Sequence, residues 1–264
     1  MSLAKTPKIA TNELSMEDVR LPPCDLWSDE PPLESDLHRD QIELLLACLK
    51  WWWQDRTDFY ASGNLTIYFS EEHITTRDFR GPDFFVALDS DPHPRRSWMV
   101  WVEQGKYPNV IVELLSDSTA KVDRGFKKKL YQDTFRTPEY FWFYPETLEF
   151  KGFHLMSGQY RAIKPNAQGW LWSQQLELFL GIHESQLRFF TADGHLVSSP
   201  KETVRQEQRQ RELAQQQAEQ ERQQRELAQQ QAEQERQQRE LAQQQVEALK
   251  ARLRELGVDS ELPE

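Results

Sequence analysis

The segment NVIVELLS, residues 109–116, constrains the fold more than any other stretch of the chain. Successive side chains of a β-strand point to opposite faces, so Val110, Val112 and Leu114 share one face. On the other face, Glu113 is flanked by aliphatic residues. Strands that are apolar on both faces belong to the interior of a sheet that is covered on both sides. The chain is therefore expected to contain a buried strand that carries a carboxylate.

The position of Glu113 allows two explanations. Burying an unpaired carboxylate costs several kcal/mol, so a cation, a metal or a proton must accompany it. In the first explanation Glu113 lies at a strand end and pairs with an arginine. In the second it belongs to a site that binds a cation for a chemical purpose. The residues of this one segment leave both explanations open.

The order of apolar segments predicts a mixed α/β or α+β domain with one central sheet. The first helix is predicted over DLHRDQIELLLACLKWWWQD, residues 36–55, with Ser35 or Asp36 as its N-cap, and a turn is predicted at ASGN. Strands are predicted in LTIYFS, PDFFVALD, SWMVWVE and NVIVELLS, followed by a helix from about Ala120 to Thr134. A β-meander with turns at Pro145-Glu146 and Ser157-Gly158, and a hairpin in LRFFTADGHLV, complete the pattern.

Composition divides the chain into three predicted regions. Residues 1–35 are polar and proline-rich and predict an irregular N-terminal arm. Residues 36–198 hold the periodic apolar segments and predict the folded domain. Residues 199–264 form a tail rich in Gln, Glu and Arg, for which we predict a long, coiled-coil-like helix.

The tail repeats RELAQQQAEQERQQ from Arg211 with a period of 14 residues, which is two heptads. With Val246 and Leu253 at heptad position a, Leu249 and Leu256 fall at d, so the last two heptads have an apolar seam. Further upstream, positions a and d are Arg, Ala and Glu, and Glu-to-Arg pairs at i, i+4 support the helix. Fifty-six helical residues would extend about 84 Å. The tail is either a helix that binds a partner or a second copy of the chain, as in a homodimer, or a solvated helix produced by repeat expansion.

Charge and composition exclude several classes of protein. The net charge is -11, and residues 201–264 carry 11 basic and 14 acidic side chains, so the first 200 residues are acidic as well. A protein that coats nucleic acid by bulk electrostatics is therefore excluded. The chain has no apolar run of about 20 residues, no segment that resembles a signal peptide, and two cysteines. These features predict a cytoplasmic protein without a membrane partner.

Three residues together predict metal-dependent hydrolysis of phosphodiester bonds. Asp83 follows Pro82 at the mouth of an apolar strand, Glu113 lies in another strand, and Lys127 follows Asp123 by four residues on the predicted helix. Two carboxylates supply the hard oxygen ligands that Mg²⁺ prefers. A lysine orients the attacking water or neutralises charge in the transition state. Lys127, Lys128 and Lys129 point in directions about 100° apart on a helix, so they cannot all serve one site.

RGPDFFVAL, PNVIVELLSDSTAKVDRGFKKKLYQ and TPEYFWFYP together resemble the Uma-two family of endonucleases, of cyanobacterial type, within the PD-(D/E)xK superfamily. The resemblance spans about residues 36–190. It implies a restriction-endonuclease-like fold, with a central mixed sheet flanked by helices. It also implies an endonuclease that hydrolyses DNA with Mg²⁺ or Mn²⁺. Asp83 matches the Asp of the PD element and Glu113 matches the (D/E) position, so both are expected to bind the metal.

One position departs from the superfamily pattern. The usual lysine would stand at Leu115, and in the Uma-two branch a helix lysine substitutes for it, a position that Lys127 matches. Glu43 and His38 are further candidate ligands, for which a structural role is the stronger expectation. The alternative to an enzyme is a catalytically inactive nuclease-fold module that interacts with nucleic acid or protein through its helical tail. The distance between Lys127 and Glu113 distinguishes the two hypotheses.

Overall fold

The computed structural model describes residues 23–30, 33, 35–70 and 81–255. The chain divides into two compact units, Met1–Pro200 and Lys201–Glu264. Most of the predicted N-terminal arm lies outside the described residues, and residues 23–30 are irregular. Both cysteines are free thiols. No helix in the described part of the chain is long and apolar enough to cross a membrane.

Six of the described strands form one mixed sheet, with the spatial order β1 (Phe59–Gly63), β3 (Phe84–Leu88), β5 (Val110–Leu114), β6 (Glu139–Tyr144), β7 (Glu149–Met156) and β8 (Gln159–Ala162). Two short strands, β2 (Ile67–Tyr68) and β4 (Trp98–Met99), pair separately.

The sheet is mixed because a helix connects β5 to β6. These two strands run parallel, with Glu113 opposite Trp142, whereas the other neighbours in the sheet are antiparallel. Parallel neighbours need a crossover connection, and the helical segment α2, residues 120–135, provides it. The predicted helix from about Ala120 to Thr134 and the predicted meander over β6, β7 and β8 are both confirmed.

The two faces of β5 pack into two different hydrophobic cores. Val110, Val112 and Leu114 join the first core, together with helix α1 (Asp36–Trp52) and a three-stranded sheet. Ile111 and Leu115 join the second core, together with aromatic residues of α2 and β6. The predicted division of this strand into two buried faces is confirmed, and Glu113 lies on the face that α2 covers.

Three predicted segments differ from the structure, one of them being the predicted strand LTIYFS, which is shortened to β2. The predicted turn ASGN belongs mostly to β1, because Ala61, Ser62 and Gly63 pair with β3. The predicted strand SWMVWVE is shortened to β4, because Val102 and Glu103 donate backbone hydrogen bonds to the carbonyl of Met99 and form a turn. In these segments the apolar residues predicted burial correctly, but pairing with distant strands determines the backbone conformation.

A second sheet was not predicted. It contains β9 (Leu171–Ser173), β10 (Leu178–His183) and β11 (Gln186–Phe190), in the order β11-β10-β9. The predicted hairpin in LRFFTADGHLV, with Asp193-Gly194 at its turn, is confirmed as a short one, because the N–H of Val197 donates to the carbonyl of Phe189 across that turn. The main partner of β11 is β10, across a turn at Glu184 and Ser185 with φ angles of 50° and 63°. The downstream segment returns to β11 with a single bridge between Phe190 and Leu196.

A buried glutamine attaches helix α1 to the second sheet. Ser35 caps the helix by accepting a hydrogen bond from the backbone N–H of His38 at 3.3 Å. Gln41, buried on the inner side of α1, donates to the carbonyl of Leu187 at 2.9 Å and accepts from its N–H at 3.0 Å. The side chain thus satisfies both backbone groups of one residue at the edge of the second sheet.

Replacing Gln41 with leucine is expected to lower the free energy of unfolding. The variant leaves two buried backbone groups of Leu187 without partners, at about 1–3 kcal/mol for each. Chemical denaturation of Gln41→Leu against the unmodified protein measures the loss. Glu43→Gln, an exposed position on the same helix, should change stability by less than about 0.5 kcal/mol. Equal stabilities for Gln41→Leu and the unmodified protein would contradict the assigned role.

The tail is one α-helix, α3 (Pro200–Glu255), of 56 residues. The predicted i, i+4 pairs are present, with 3.8 Å between Glu207 and Arg211 and 3.7 Å between Glu221 and Arg225. A third pair, Glu235–Arg239, repeats the contact at 3.7 Å. Leu256, assigned to the apolar seam, lies outside the described residues. The predicted helical tail is confirmed as a helix.

A buried carboxylate and lysine site

Glu113 lies at the centre of the candidate site. Its side chain has no solvent exposure, although it lies on a strand whose other residues are aliphatic. The neighbouring strands β3 and β6 cover both edges of β5, and α2 covers the face to which the carboxylate points. A carboxylate in this environment must be compensated by groups that come from outside the strand.

Lys127 supplies the compensating charge. Its Nζ lies 3.1 Å from Oε2 of Glu113 and 3.1 Å from Oδ1 of Asp123. The lysine side chain is 12% exposed, and the Asp123 side chain is 2% exposed. The helix lysine therefore reaches the strand carboxylate, which excludes the explanation in which Glu113 pairs with an arginine.

The local conformation of α2 brings these side chains together. Asp123–Lys127 and Tyr131–Phe135 are π-helical, and Lys128–Leu130 between them is α-helical. π-Helical turns insert an extra residue and are frequent at functional sites. The hydroxyl of Tyr140 on β6 donates to the Asp123 carbonyl at 2.9 Å and ties this turn to the sheet.

Tyr131 is a site residue that the sequence did not single out. Its hydroxyl donates to Oε1 of Glu113 at 2.6 Å, and its side chain is fully buried. The two carboxylate oxygens of Glu113 are therefore held by different residues, Lys127 and Tyr131. These residues are four apart on the helix, and that spacing was the signal that could have identified Tyr131.

Asp83 lies beside Glu113 because of the antiparallel register of β3 and β5. Phe84 pairs with Val112, so the preceding residue falls opposite Glu113. The backbone N–H of Asp83 donates to Oε2 of Glu113 at 3.4 Å, and Oδ2 of Asp83 accepts from the N–H of Leu114 at 2.7 Å. Asp83 is half-buried, which makes it the more accessible of the two predicted ligands.

The electrostatic environment keeps Lys127 protonated and disfavours ionisation of the carboxyl groups of Glu113 and Asp123. Burial raises the pKa of Glu113 well above its usual value, and the upward shift persists although Lys127 opposes it. Burial likewise raises the pKa of Asp123. For Lys127, burial acts to lower the pKa, but Glu113 and the other carboxylates outweigh it and the net shift is upward. Burial followed by the charge of Glu113 raises the pKa of Tyr131, so that its hydroxyl remains a proton donor.

The three consecutive lysines have three different environments, as the helix geometry predicts. Lys127 lies in the site, whereas Nζ of Lys128 lies 3.4 Å from the ring centroid of Phe153. Lys129 is exposed. The two further candidate ligands are not part of the cluster. Glu43 is exposed on α1, and the ring of His38 is 2.8 Å from the Ser35 hydroxyl at the start of that helix.

The donor set fits a divalent cation by its chemistry and charge. The ammonium group of Lys127 contacts the carboxylates of Glu113 and Asp123, and the nearby carboxylate of Asp83 adds to the upward shift of the Lys127 pKa, so acidic groups outnumber the lysine at this site. Within the described residues, no group of three or more His, Cys, Asp or Glu side chains is arranged to bind a metal. A cation here would thus have few protein ligands, and Mg²⁺ in proteins commonly keeps several waters.

The architecture is that of a mixed α+β domain whose central sheet is covered by α1 and the second sheet on one face and by α2 on the other. The family model described as "Uma2: Putative restriction endonuclease" matches residues 25–183, more than half of the chain, and the chain belongs to this family. The family predicted from the sequence motifs is confirmed. The match supports a nuclease-like function, with nucleic acid as the class of substrate.

One solved structure gives a distant comparison. It is described as "Crystal structure of a putative nuclease belonging to DUF820 from Anabaena variabilis ATCC 29413 at 1.96 A resolution". The similarity has a TM-score of 0.38 and 10% sequence identity, and it covers 56% of this chain and 76% of that one. No curated protein shows significant similarity to the chain.

Proposed function

We propose that the protein is an endonuclease that hydrolyses DNA phosphodiester bonds with Mg²⁺ or Mn²⁺ held by Asp83 and Glu113. The observation that carries the proposal is the 3.1 Å contact between Lys127 and a fully buried strand carboxylate. When bound, such a cation lowers the pKa of a coordinated water and stabilises negative charge on phosphoryl oxygens. Family membership in a group described as restriction endonucleases supports the same chemistry.

The residues of the site have distinct proposed roles. Asp83, the more accessible carboxylate, would bind the cation from the solvent side, and its bond to the N–H of Leu114 fixes the direction of its carboxyl group. Tyr131 holds the carboxylate of Glu113 in one orientation. Lys127 remains protonated and would orient the attacking water or neutralise charge on the phosphate as the bond breaks.

Asp83→Asn is expected to reduce DNA cleavage at least about 100-fold, because it removes a charged metal ligand. The amide oxygen of the variant still accepts the hydrogen bond of Leu114, so the fold should persist. The measurement is nicking of supercoiled plasmid in Mg²⁺ and in Mn²⁺, with a chelator as the metal-free control. Glu43→Gln makes a similar change at an exposed position and should cleave like the unmodified protein. Equal nicking by Asp83→Asn, or no nicking by the unmodified protein over a range of metals and salts, would contradict the proposal.

A second candidate function is a catalytically inactive module that binds nucleic acid or protein. The observation that favours it is the inaccessibility of Glu113. Its side chain has no solvent exposure, and both of its carboxylate oxygens accept hydrogen bonds from protein donors. Such a module would shift DNA or a protein partner in a binding assay while leaving plasmid intact in every metal. The nicking assay therefore separates the two candidates directly.

A further inference from the structure

The tail helix presents an unusual series of residues at the positions where coiled coils pack. Every residue of α3 from Val204 to Ala242 is exposed, so no partner covers this face in the single chain. In the register fixed by Val246, the a and d positions repeat in the order Arg, Ala, Ala, Glu. We call these a and d positions, from Val204 to Ala242, the tail seam. Its members are Val204, Glu207, Arg211, Ala214, Ala218, Glu221, Arg225, Ala228, Ala232, Glu235, Arg239 and Ala242.

The order of charges in the tail seam distinguishes the two ways in which two copies can pair. In a parallel pair in register, each a or d residue meets the same residue of the partner, so Arg would face Arg and Glu would face Glu. In an antiparallel pair, a positions meet d positions. Reversing Arg, Ala, Ala, Glu gives Glu, Ala, Ala, Arg, so every Arg faces a Glu and every Ala faces an Ala. Complementary charges set partner orientation, and juxtaposed like charges disfavour the wrong one.

One antiparallel register satisfies the complete tail seam. It aligns residue 204 of one copy with residue 242 of the other, and a shift by one heptad would place charged residues against alanines. The facing pairs in this register are Val204–Ala242, Glu207–Arg239, Arg211–Glu235, Ala214–Ala232, Ala218–Ala228 and Glu221–Arg225, each occurring twice. A two-fold axis near residue 223 relates the halves, which gives a closed pair of two identical surfaces.

We propose that α3 binds α3 of a second copy of this chain in this antiparallel register. The charged residues stay supported within each helix, since Glu221 lies 3.7 Å from Arg225 of its own chain and the partner's Arg and Glu add to that pair. Alanine at the intervening layers lets the two backbones approach closely. Val246, Leu249 and Leu253 lie beyond the overlap, so this arrangement differs from the parallel pairing that their apolar seam alone would favour. The six charged layers favour the antiparallel arrangement, because a parallel pair makes all of them repulsive.

Disulfide cross-linking of the full chain tests the orientation. All variants carry Cys24→Ser to remove the exposed thiol, whereas Cys48 is buried and is retained. Ala218→Cys and Ala228→Cys, each with a different affinity tag, are expressed alone and together. Facing positions allow a disulfide, but in the proposed pair residue 218 lies ten residues, about 15 Å, from its own counterpart. Gln230→Cys, on the outer face of the helix, measures random collision.

The expected result is a cross-linked dimer in the co-expressed sample, at least about tenfold more abundant than in either single variant or in Gln230→Cys. Cross-linking of Ala218→Cys to itself would show a parallel pair and overturn the proposal. A monomeric mass by sedimentation, with no cross-linking above the Gln230→Cys level, would overturn it as well. Charge reversal gives a second readout. The triple variant Arg211→Glu, Arg225→Glu and Arg239→Glu should not form the dimer. Adding the substitutions Glu207→Arg, Glu221→Arg and Glu235→Arg to this variant should restore it. The test is independent of any nuclease activity.

Discussion

Lys127→Met is expected to lower the free energy of unfolding by about 3–5 kcal/mol, because removing one partner of a buried ion pair leaves uncompensated charge inside the protein. The lysine is 3.1 Å from both Glu113 and Asp123, and these carboxylates are almost fully buried. Methionine fills a similar volume without supplying a proton donor. The two carboxylates must then take up protons or draw in water, and both outcomes reduce stability at neutral pH.

Chemical denaturation at neutral pH measures this loss, and Lys129→Met is the matched control. Lys129 is exposed on the same helix, so the same change of side chain should alter stability by less than about 0.5 kcal/mol. Combining Lys127→Met with Glu113→Gln should recover a large part of the loss, because the double variant no longer buries the charge of Glu113. An unfolding free energy of Lys127→Met equal to that of Lys129→Met would contradict the buried pair.

The sequence predicted those parts of the site that depend on local spacing. The period of β5 placed Glu113 on a buried face, and the apolar pattern predicted the helix that follows it, from about Ala120 to Thr134. Lys127 was predicted to reach back along that helix, and its Nζ lies 3.1 Å from the carboxylate. What this contact does in catalysis is still a prediction.

The remaining parts of the site depend on geometry that one-dimensional spacing does not contain. The spacing of four residues places Tyr131 on the side of the helix that carries Lys127, but its contact with Glu113 also depends on two π-helical stretches that have no recognisable sequence signal. Asp83 contacts the site through the register of an antiparallel pair, which is a long-range property. Asp123 was noted only for its spacing of four residues from Lys127, and its burial as a third carboxylate follows from the packing of α2.

The fold shows the same division between local and long-range information. Long periodic segments such as α1 and β5 were predicted closely. The second sheet was not, because β9 has only three residues and is recognisable as a strand through its pairing with β10. Ser173, for example, is fully buried because its hydroxyl donates to the carboxylate of Glu139 on β6. A polar residue of this kind has no apolar period that identifies it as part of a strand.

Glu113→Gln is expected to lower the rate of DNA cleavage without lowering the free energy of unfolding, so it separates the role of Glu113 in catalysis from its effect on stability. The substitution is expected to reduce plasmid nicking at least about 1,000-fold, since a neutral amide neither binds the cation strongly nor fixes the charge of Lys127 near the phosphate. Stability should respond differently. The pKa of Glu113 is raised by burial, so its ionised form is a cost to the folded state in the absence of a cation. The amide removes that cost while keeping a group that accepts the Tyr131 hydrogen bond.

The raised pKa of Glu113 also determines how the stability of the folded protein should change with pH. A carboxyl group with a raised pKa in the folded state binds its proton more tightly than it does in the unfolded chain. Its contribution to the free energy of unfolding is therefore fully present below the ordinary pKa of 4.5 and is lost as the pH rises above that value. Relative to Glu113→Gln, the unmodified protein should therefore lose stability as the pH increases from about 4.5 towards neutrality, and a divalent cation should restore part of the loss. Denaturation at several pH values, with and without Mn²⁺, measures both effects.

If Glu113→Gln is instead destabilised at neutral pH as much as Lys127→Met, the carboxylate serves the fold as the anion of a structural ion pair. A variant that cleaves no DNA and is at least as stable as the unmodified protein would show that the chain retains a buried charge at the expense of its own stability, which is the pattern of a functional site.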